Sequence, residues 1–587
     1  MCGIVFLADW HATTANRSSR ISDEGFIELM GRLRAASAAR GQFYHPLFSG
    51  TCCTGPDVQR DHQITLKSDH GATVYLDFFA SELRLRGDAP VAQPHIHESG
   101  NVLCWNGEVS RSFVHPEEND GSKLSAAMSE LEDASAIVQL LGTLEGPYAF
   151  VYYHHRSGKV FFARDPLGRR SLLMHVPSPD LPYLLLASVS AGKSDHYDFT
   201  ETQPDKVNQA SPPTDTEDFR LQSLDIIPQY LSSAVDELTY HLDHSVSLRV
   251  RNVPQRGVEL PSSDQALSAR SVPARVAVLF SGGIDSTVCA FLAHKHIPLD
   301  EPIDLLNVAF ENPRKIRGQV DGAVGGIKKK KQRAMSIENT VSIDEQLSAQ
   351  YNPDYLVPDR VTGLSELEEL RRLCPGRRWN FVEVDVPYTE YQDVQETVES
   401  VMWPCQTVMD LSISMPLYFA ACGVGKVRRS VTAEPQLYTS SARVLLNGLG
   451  SDELLGGYSR HRTVYNTGGW KALIDELQLD MDRIPTRNLG RDDRVISAHG
   501  RETRHPFLSL DVVNFLVALP IHIKTDPRLE VGVGDKMLLR LAARKMGLVE
   551  ASTRKKRAMQ FGTQSARMER GAANGGTLLN IARQTEK

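Results

Sequence analysis

An apolar run near the middle of the chain leads into a short turn whose side chains suit phosphate and metal binding. The turn consists of Ser281, Gly282, Gly283, Ile284, Asp285 and Ser286. Its glycines let the backbone approach an anion and present successive N–H groups to it, and the helix that follows adds its positive end. The serines offer hydroxyl donors, and the aspartate is placed to hold a Mg²⁺ ion. The alternative is an ordinary tight turn; no Gly-Lys-Ser/Thr follows, which excludes a Walker loop.

A second glycine turn lies further along the chain. The apolar residues 444–446 run into Asn447 and Gly448, and an acidic pair, Asp452 and Glu453, then opens a helical pattern. Acidic side chains at a helix start beside such a turn suit ATP and its metal ion. Two such turns in one chain favour a shared nucleotide site over two accidental turns.

The N-terminus offers a nucleophile. Removal of Met1 would leave Cys2 with a thiol and a free α-amine on the same residue. An α-amine has a pKa near ~7.7–8.0, low enough to act as base for its own nucleophile. The segment does not match a signal peptide, because it lacks a basic n-region and its apolar run stops at Asp9. The alternative is a buried cysteine that begins a strand.

Asn106 and Gly107 interrupt an apolar strand pattern and could serve that nucleophile. A side-chain amide and an adjacent glycine N–H are two donors that can point at one developing negative charge, as an oxyanion hole requires. The alternative is a type I′ hairpin turn, a frequent use of Asn-Gly between strands. Further on, Asp120 precedes a helical pattern and could pair with the ammonium group of a substrate.

The elements that must position the glycine turns predict a parallel sheet. Three buried apolar runs occur in the second half, at residues 277–280, 303–310 and 379–386. Their alternation with helical patterns predicts right-handed crossovers and a doubly wound sheet. An amphipathic helix after Pro228 is expected to pack on that sheet. Asp410 and Ser412 are expected to lie just before a helix that starts at Met415.

Composition narrows the class of protein. A chain of 587 residues, 41% apolar and 23% charged, predicts a soluble globular protein of two to four domains of about 100–200 residues each. A net charge of −7 gives no electrostatic footprint for nucleic acid. Eight cysteines without a CxxC pair argue against a disulfide scaffold or a zinc site and predict a reducing, cytoplasmic location. No apolar run approaches the ~18–20 residues that span a bilayer, so no membrane is expected.

The N-terminal features together resemble the glutaminase domain of the class II glutamine amidotransferases, and the whole chain resembles the asparagine synthetase family. The first resemblance covers residues 1–192 and implies a four-layer αββα fold of the Ntn type. It also implies that Cys2 attacks the side-chain amide of glutamine. The residues implied to hold glutamine are Asn106, Gly107, Glu108 and Asp120. The first two would stabilise the oxyanion, the third would line the pocket and the last would hold the α-ammonium.

Residues 226–570 resemble the ATP-pyrophosphatase domain of that family, an adenine nucleotide α-hydrolase-like fold with a doubly wound parallel sheet. The resemblance implies that Asp285 and Asp452 share a Mg²⁺ ion. The residues implied to bind ATP and pyrophosphate are Leu279, Ser281, Gly282, Gly283, Asp285, Ser286, Val308, Asn447 and Gly448. The remaining segments are a linker at 193–225, an insert at 312–350 whose composition predicts disorder, and a tail at 571–587.

Three positions depart from the family pattern. Leu449 stands where the synthetases have a glutamate at the reacting centre, and leucine can neither accept a proton nor carry charge. Leu83 stands where an arginine grips the glutamine α-carboxylate, unless Arg84 or Arg86 substitutes. Ala558 stands where a lysine is expected in a basic segment. The chain is therefore most similar to the divergent asparagine synthetase domain-containing proteins of eukaryotes. The segments that carry this likeness are 457–462, 488–495 and 556–562.

The resemblance implies an α/β and α+β two-domain enzyme that amidates a carboxylate with ATP and glutamine. Ammonia would pass internally from the first domain to an acyl-adenylate in the second. The expected cofactors are ATP and Mg²⁺, and the expected substrates are glutamine and aspartate or another carboxylic acid. One alternative is a different acceptor, because Leu449 alters the acceptor pocket. The other is a nucleotide-binding regulator or scaffold whose catalysis has decayed.

Overall fold

The computed structural model describes most of the chain. The described residues are 2–11, 24–40, 58–67, 73–86, 90–109, 118–204, 221–254, 272–311, 351–428, 433–568 and 575–579. The predicted insert at 312–350 lies outside them, as do residues 205–220 of the predicted linker and residues 571–574 and 580–587 of the predicted tail. Within the described ranges, no helix is long and apolar enough to cross a membrane.

The first half of the chain forms two antiparallel sheets. Their strands are β1 (Gly3–His11), β2 (Val58–Lys67), β3 (Thr73–Glu82), β4 (His95–Ile96), β5 (Val102–Gly107), β6 (Tyr148–His154), β7 (Lys159–Arg164), β8 (Leu173–His175), β9 (Tyr183–Ala187) and β10 (Thr200–Glu201). One sheet has the order β10-β8-β9-β1-β3-β2 and the other the order β4-β5-β6-β7. Because β1 is paired on both sides, by β3 and β9, Cys2 stands at the end of a fixed strand.

Helices cover the outer faces of these two sheets. They are α1 (Glu24–Ala38), α2 (Asp120–Ser129) and α3 (Ala134–Gly142). Side chains that alternate along the strands meet between the sheets, as Phe6 and Val151 do. On the outside, Leu29 of α1 packs with Leu185, and α2 and α3 pack with Trp105. The order of the layers is therefore helix, sheet, sheet, helices.

The second half is built on one seven-stranded sheet. Its strands are β11 (Val276–Leu279), β12 (Ile303–Phe310), β13 (Trp379–Val386), β14 (Val424–Val427), β15 (Gln436–Thr439), β16 (Val444–Leu446) and β17 (Glu502–Arg504). The order is β15-β14-β13-β12-β11-β16-β17, with β14 and β15 antiparallel at one edge and the other five strands parallel. The runs predicted at 303–310 and 379–386 are confirmed as β12 and β13.

Helices lie on both faces of this sheet. They are α4 (Gln229–Val250), α5 (Ile284–His296), α6 (Pro358–Leu373), α7 (Tyr388–Met402), α8 (Val408–Cys422), α9 (Ser451–Leu455), α10 (Ser459–Ile484), α11 (Gly490–Ser497), α12 (Leu510–Ala518), α13 (Ile521–Lys524), α14 (Met537–Lys545), α15 (Val549–Thr553) and α16 (Met559–Gly562). Val276 and Val278 face a core shared with α4, α5, α6 and α14, whereas Ala277 faces one shared with α7, α8 and α11. Both faces of β11 are buried, which explains its continuous apolar sequence.

The order of the strands creates a crevice at the carboxyl ends of β11 and β16. The chain moves from β11 to β12 on one side and later returns to β16 on the other side. Ligands of open α/β sheets bind where the strand order reverses in this way. The turn at 281–286 follows β11 and Asn447 follows β16, so both predicted glycine turns border this crevice.

Two local expectations are corrected by the structure. Asp410 lies inside α8 and not before it, because the Thr407 side chain accepts a hydrogen bond from the Asp410 backbone and caps the helix start at Val408. Part of the predicted linker belongs to the first half, since Tyr197 and Phe199 are buried there and β10 extends its sheet. Helix α4 shares a core with β11, in agreement with its predicted packing on the sheet, and also packs against the helices α5 and α14.

The hairpin alternative for Asn106 and Gly107 is wrong. Both residues lie inside β5 and are paired with Ala149 and Tyr148 of β6. The strand therefore carries the asparagine side chain into the interior of the first half, where it is fully buried.

Candidate functional site

Cys2 is held by three neighbours at the start of β1. Its backbone N–H donates to the Asn106 side-chain oxygen at 3.1 Å, and the Gln93 side-chain amide donates to the Cys2 sulfur at 3.2 Å. Arg40 donates to the Cys2 carbonyl oxygen at 3.2 Å. The predicted nucleophile and the predicted oxyanion donor are therefore brought together by β1 and β5.

The amide nitrogen of Asn106 is a spare donor beside the sulfur. Its Nδ2 atom is buried and has no hydrogen-bond partner in the part of the chain that the structure describes. A buried donor left unpaired costs ~1–3 kcal/mol, so a ligand oxygen at this position would be stabilised. Gly107 packs closely against β6, because a β-carbon at 107 would lie 2.6 Å from the β-carbon of Tyr148. The glycine is thus required by packing, whatever its N–H contributes to an oxyanion.

The Cys2 thiol is protonated at neutral pH. Burial raises its pKa to about 11, although the positive charge at the N-terminus lowers it. The nearby carboxylates of Glu82 and Asp120 raise it further. A base must therefore remove the thiol proton before attack. The α-amine that removal of Met1 would free lies on the same residue and suits this task.

A small cavity of about 30 Å³ adjoins the thiol. Its walls include Gly107, Glu108 and Asp120, all predicted to contact glutamine, and also Leu83 and Arg86. This volume suits a water molecule and is too small for glutamine, so binding of glutamine requires neighbouring side chains to move.

The two predicted carboxylates of this cavity are engaged. Glu108 accepts two hydrogen bonds from Arg86 at 3.2 Å each, and its second oxygen pairs with Arg504. Asp120 accepts hydrogen bonds from two backbone N–H groups at 2.9 Å. Burial raises the pKa of both carboxyls against the neighbouring arginines. Arg86 is the cation of the cavity wall nearest in sequence to Leu83, where the family has its arginine.

The second half of the chain completes the walls of the Cys2 cavity. Glu502 of β17 lines the cavity and accepts a hydrogen bond from Arg504 at 2.6 Å. Arg170 pairs with Glu502 at 2.9 Å and with Asp493 of α11 at 3.3 Å. These contacts join residues more than 300 positions apart, and no sequence period signals them. Sequence reasoning missed Arg504 and Glu502 for that reason.

A large cavity of about 720 Å³ lies over the crevice of the second sheet. Most residues predicted to bind ATP line it, namely Leu279, Ser281, Asp285, Ser286, Val308, Asn447 and Gly448, and so does Asp452. Gly282 and Gly283 are not in its wall. Gly282 has φ +74°, and a β-carbon there would lie 2.5 Å from the backbone of Gly363 in α6. Close packing of the turn on α6 therefore accounts for this glycine.

Lysines bring the two predicted metal ligands together. The Lys536 ammonium lies 2.6 Å from one oxygen of Asp285 and 2.7 Å from one oxygen of Asp452. Lys556 pairs with the other oxygen of Asp452. Although burial raises it, these two ammonium groups hold the pKa of Asp452 well below its usual range. An ammonium group is therefore present beside Asp452 at Lys556, two positions before Ala558, where the family pattern predicts a lysine.

The donor set fits a Mg²⁺ ion bound together with a nucleotide. Asp285 and Asp452 already flank one cation position, which the Lys536 ammonium shares. Within the described ranges, no group of three or more acidic, histidine or cysteine side chains could hold a metal ion alone. Mg²⁺ is usually bound by one or two carboxylates and substrate phosphates, so the phosphates would supply the remaining ligands.

Two of the residues predicted to lie near an acceptor substrate, Leu449 and Asp410, line the large cavity. Thr407 and Arg491 occupy the two carboxylate oxygens of Asp410, the latter at 3.1 Å. Neither position offers a free carboxylate to a substrate.

Comparison with known proteins gives a consistent picture. The family model described as asparagine synthase matches residues 463–575. Asparagine synthetase domain-containing protein 1 of Homo sapiens is 34% identical over 570 residues, covering 84% of this chain and 88% of the human protein. An asparagine synthetase domain-containing protein of Saccharomyces cerevisiae is 32% identical over 526 residues, covering 86% of each chain.

More distant similarities extend to named enzymes. Asparagine synthetase [glutamine-hydrolyzing] of Gallus gallus is 22% identical over 446 residues, covering 72% of this chain and 65% of that protein. A solved glutamine phosphoribosylpyrophosphate amidotransferase from B. subtilis is 12% identical, covers 52% of this chain and 66% of its own, and has a TM-score of 0.20. At that TM-score the likeness supports no statement about fold.

Proposed function

Because the chain belongs to the family of asparagine synthetase domain-containing proteins, we propose that it amidates a carboxylate with ATP and with ammonia from glutamine. The first half would be an Ntn-type glutaminase, and the second an ATP-pyrophosphatase-type domain. One observation carries the proposal. The ammonium of Lys536 bonds Asp285 and Asp452 at once, so two distant glycine turns converge on a single cation position in a large cavity.

In the glutaminase half, the Cys2 sulfur would attack the side-chain amide carbon of glutamine. The α-amine of mature Cys2 would take the thiol proton and pass it to the departing ammonia. The spare Nδ2 donor of Asn106 would stabilise the oxyanion, a contribution worth ~3–4 kcal/mol in comparable sites. Water would then release glutamate from the thioester.

In the other half, an oxygen of the acceptor carboxylate would attack the α-phosphate of ATP and release pyrophosphate. Lys536 and Lys556 would neutralise charge on the phosphates, and Asp285 and Asp452 would hold Mg²⁺, which offsets the remaining charge. Ammonia would attack the acyl-adenylate, forming the amide and releasing AMP.

Strand β17 supports transfer of ammonia between the halves. Glu502, at its start, lines the Cys2 cavity. At its end, the carbonyl oxygen of Arg504 accepts a hydrogen bond from the backbone N–H of Asn447, in the wall of the large cavity, at 2.9 Å. Three residues of one strand therefore connect the two sites, which favours internal passage of ammonia.

Aspartate is the default acceptor, and a different carboxylic acid is the second candidate. The observation that favours the second is Leu449 in the cavity wall, where an acidic residue would be expected for aspartate amidation. We also propose a cytoplasmic location, since the six cysteines within the described ranges are unpaired thiols, as a reducing compartment maintains.

The test is a pair of assays on the purified protein. Glutamate formation from glutamine reports the first half, and ATP–pyrophosphate exchange across a panel of carboxylic acids, aspartate included, reports the second. The proposal expects both, and the acid that supports exchange identifies the acceptor. ATP binding without either reaction would contradict the proposal and favour a nucleotide-binding regulator.

A further inference from the structure

Asp359 is a buried carboxylate that has no hydrogen-bond donor among the described residues. It is the second residue of α6, its side chain is 6% exposed, and it lines the large cavity. Its nearest cation is the half-exposed Arg557, at 3.9 Å. Among the described residues its carboxylate accepts no hydrogen bond. The other acidic side chains of this cavity are each bonded to a neighbouring group.

The position of Asp359 is nevertheless rigid. Its carbonyl oxygen accepts a hydrogen bond at 2.9 Å from the Asn307 side-chain amide, which also donates to Phe280 at 2.8 Å. Its carboxylate faces Gly562, where a β-carbon would lie 2.0 Å from one carboxylate oxygen and 2.1 Å from the other. The backbone thus fixes an unsatisfied carboxylate over the boundary between β11 and β12.

A buried carboxylate without a hydrogen-bond donor lowers the stability of the protein that has no ligand bound. Burial raises the pKa of Asp359 to about 7, although Arg557 and Lys556 lower it. An aspartate in the first turn of a helix ordinarily interacts favourably with the helix dipole. This interaction does not require burial, so it does not explain why the Asp359 side chain is buried. Buried carboxylates that persist without donors are typical of ligand sites, where function opposes stability.

The location limits what the ligand can offer. A carboxylate repels phosphate oxygens, and the phosphates have cationic partners at Lys536 and Lys556. Asp359 instead lies beside Asn307 of β12, whose side-chain amide also bonds Phe280 directly after β11. Leu279 and Val308, the sequence neighbours of these two residues, line the same cavity. Neutral hydroxyl donors fit this place, and two adjacent hydroxyls match two carboxylate oxygens.

We propose that Asp359 binds the vicinal hydroxyls of the ATP ribose, one hydrogen bond to each carboxylate oxygen, and so selects a ribonucleotide. The inference rests on the proposed function only in taking ATP as the ligand of the large cavity. It names a specificity-determining contact in a part of that cavity where the sequence indicated no polar residue.

The test compares the binding of ATP, 2′-deoxy-ATP and 3′-deoxy-ATP with Mg²⁺ by calorimetry. We expect the wild-type protein to bind ATP roughly tenfold more tightly than either deoxynucleotide, because each loses one charge-assisted hydrogen bond. Asp359→Asn should weaken ATP binding by tenfold or more and each deoxynucleotide by less, because ATP loses two charge-assisted hydrogen bonds and a deoxynucleotide only one, so the preference for ATP should fall. The matched control is Asp354→Asn, the same change on the same segment outside the cavity wall, which should behave as wild type.

The outcomes separate this inference from the proposed function. Equal affinity of the wild-type protein for all three nucleotides, or an unchanged preference in Asp359→Asn, would overturn the inference alone. Absence of any nucleotide binding by the wild-type protein would refute both. Thermal unfolding at pH 8 gives a second readout. A ligand-binding Asp359 predicts an unchanged or higher Tm for Asp359→Asn without nucleotide, and a Tm lower by several degrees would show a structural role and overturn the inference.

Discussion

The Cys2 cavity and the nucleotide cavity differ in how they are built. The first is small, at about 30 Å³, and needs Glu502 from the other half of the chain to complete its walls and Arg504 to pair with Glu108. The second is large, at about 720 Å³, and all of its lining residues come from the second half. The Cys2 cavity therefore depends on the second half of the chain for its walls, and the reverse dependence is absent from the cavity walls that the structure describes.

Under the proposed function, this asymmetry suits an enzyme that must not release ammonia before the acceptor is activated. Burial keeps the Cys2 thiol protonated, and the adjoining cavity has room only for water. The thiol would therefore be unreactive until glutamine binds. In the large cavity, the Lys536 ammonium bridges the carboxylates of Asp285 and Asp452. The four predictions below test this comparison of the two cavities, including whether the Cys2 cavity depends on the second half of the chain without the reverse.

The largest effect is expected from Cys2→Ala. Loss of the nucleophile should lower glutamine hydrolysis by on the order of 10³-fold or more, since the thiol forms the covalent intermediate. ATP–pyrophosphate exchange should be unchanged, because Cys2 does not line the nucleotide cavity. Assays of glutamate and of exchange on the same preparation check this, with Cys405→Ala as the control thiol. Retained glutaminase activity would place the nucleophile elsewhere.

Lys536→Met should affect the second half and spare the first. Removing a buried ammonium leaves Asp285 and Asp452 as adjacent like charges, which costs ~3–5 kcal/mol of stability. Exchange should be lost, while any folded protein keeps glutaminase activity. Chemical denaturation and both assays measure this, with Lys471→Met, a largely exposed lysine, as control. Loss of glutaminase activity at full folding would show that dependence runs in both directions.

Arg504 belongs to the second half of the chain, but Arg504→Met should mainly affect the Cys2 cavity in the first half. Glu108 keeps Arg86 but loses its second cation, at a cost of ~1–3 kcal/mol in glutamine binding or hydrolysis. Nucleotide binding should change less, since the backbone of β17 still bonds Asn447. A comparison of KM for glutamine and of Kd for ATP checks this. A larger loss at the nucleotide site than at the glutamine site would reverse the asymmetry.

The smallest effect concerns the pH dependence of Cys2 alkylation. With a thiol pKa raised to about 11, only the thiolate reacts, so the rate should rise roughly tenfold per pH unit from pH 8 to pH 10. A solvent-exposed model thiol with an unshifted pKa levels off near pH 9. Iodoacetamide labelling followed by mass spectrometry of the N-terminal peptide gives the profile. A plateau at or below pH 9 would mean that the site already stabilises a thiolate.

The strands and glycine turns were easier to predict from the sequence than the ion pairs that connect them. β12 and β13 could be predicted because strands buried on both faces read as continuous apolar runs. The two glycine turns could be placed at one crevice because carboxyl ends of parallel strands meet at one edge of a sheet. By contrast, the sequence Asn106-Gly107 was compatible with either a hairpin turn or a strand. Only the pairing of β5 with β6 shows that these residues belong to a strand.

The residues that were missed are cations paired over long distances in sequence. Lys536 has φ +55° at the start of α14 and contacts both predicted metal ligands, Asp285 and Asp452, a pairing that the helical pattern of its segment does not signal. The family pattern predicts a lysine at position 558, which is an alanine in this chain. The lysine that contacts Asp452 is Lys556, in the segment before α16 begins at Met559. Arg504 carries no periodic signal because its partner Glu108 belongs to the other half. Pairing of this kind depends on the packed fold and not on local spacing.

The most direct test of the account uses glutamine labelled with ¹⁵N in its side-chain amide. The purified protein is incubated with the label, ATP, Mg²⁺ and the carboxylic acid that supports exchange, and the products are analysed by mass spectrometry. We predict ¹⁵N in the new amide, with glutamate, AMP and pyrophosphate formed in equal amounts and no ¹⁵N transfer by Cys2→Ala. Cleavage of ATP to AMP and pyrophosphate without ¹⁵N in any amide would contradict the claim that the two cavities carry out one reaction.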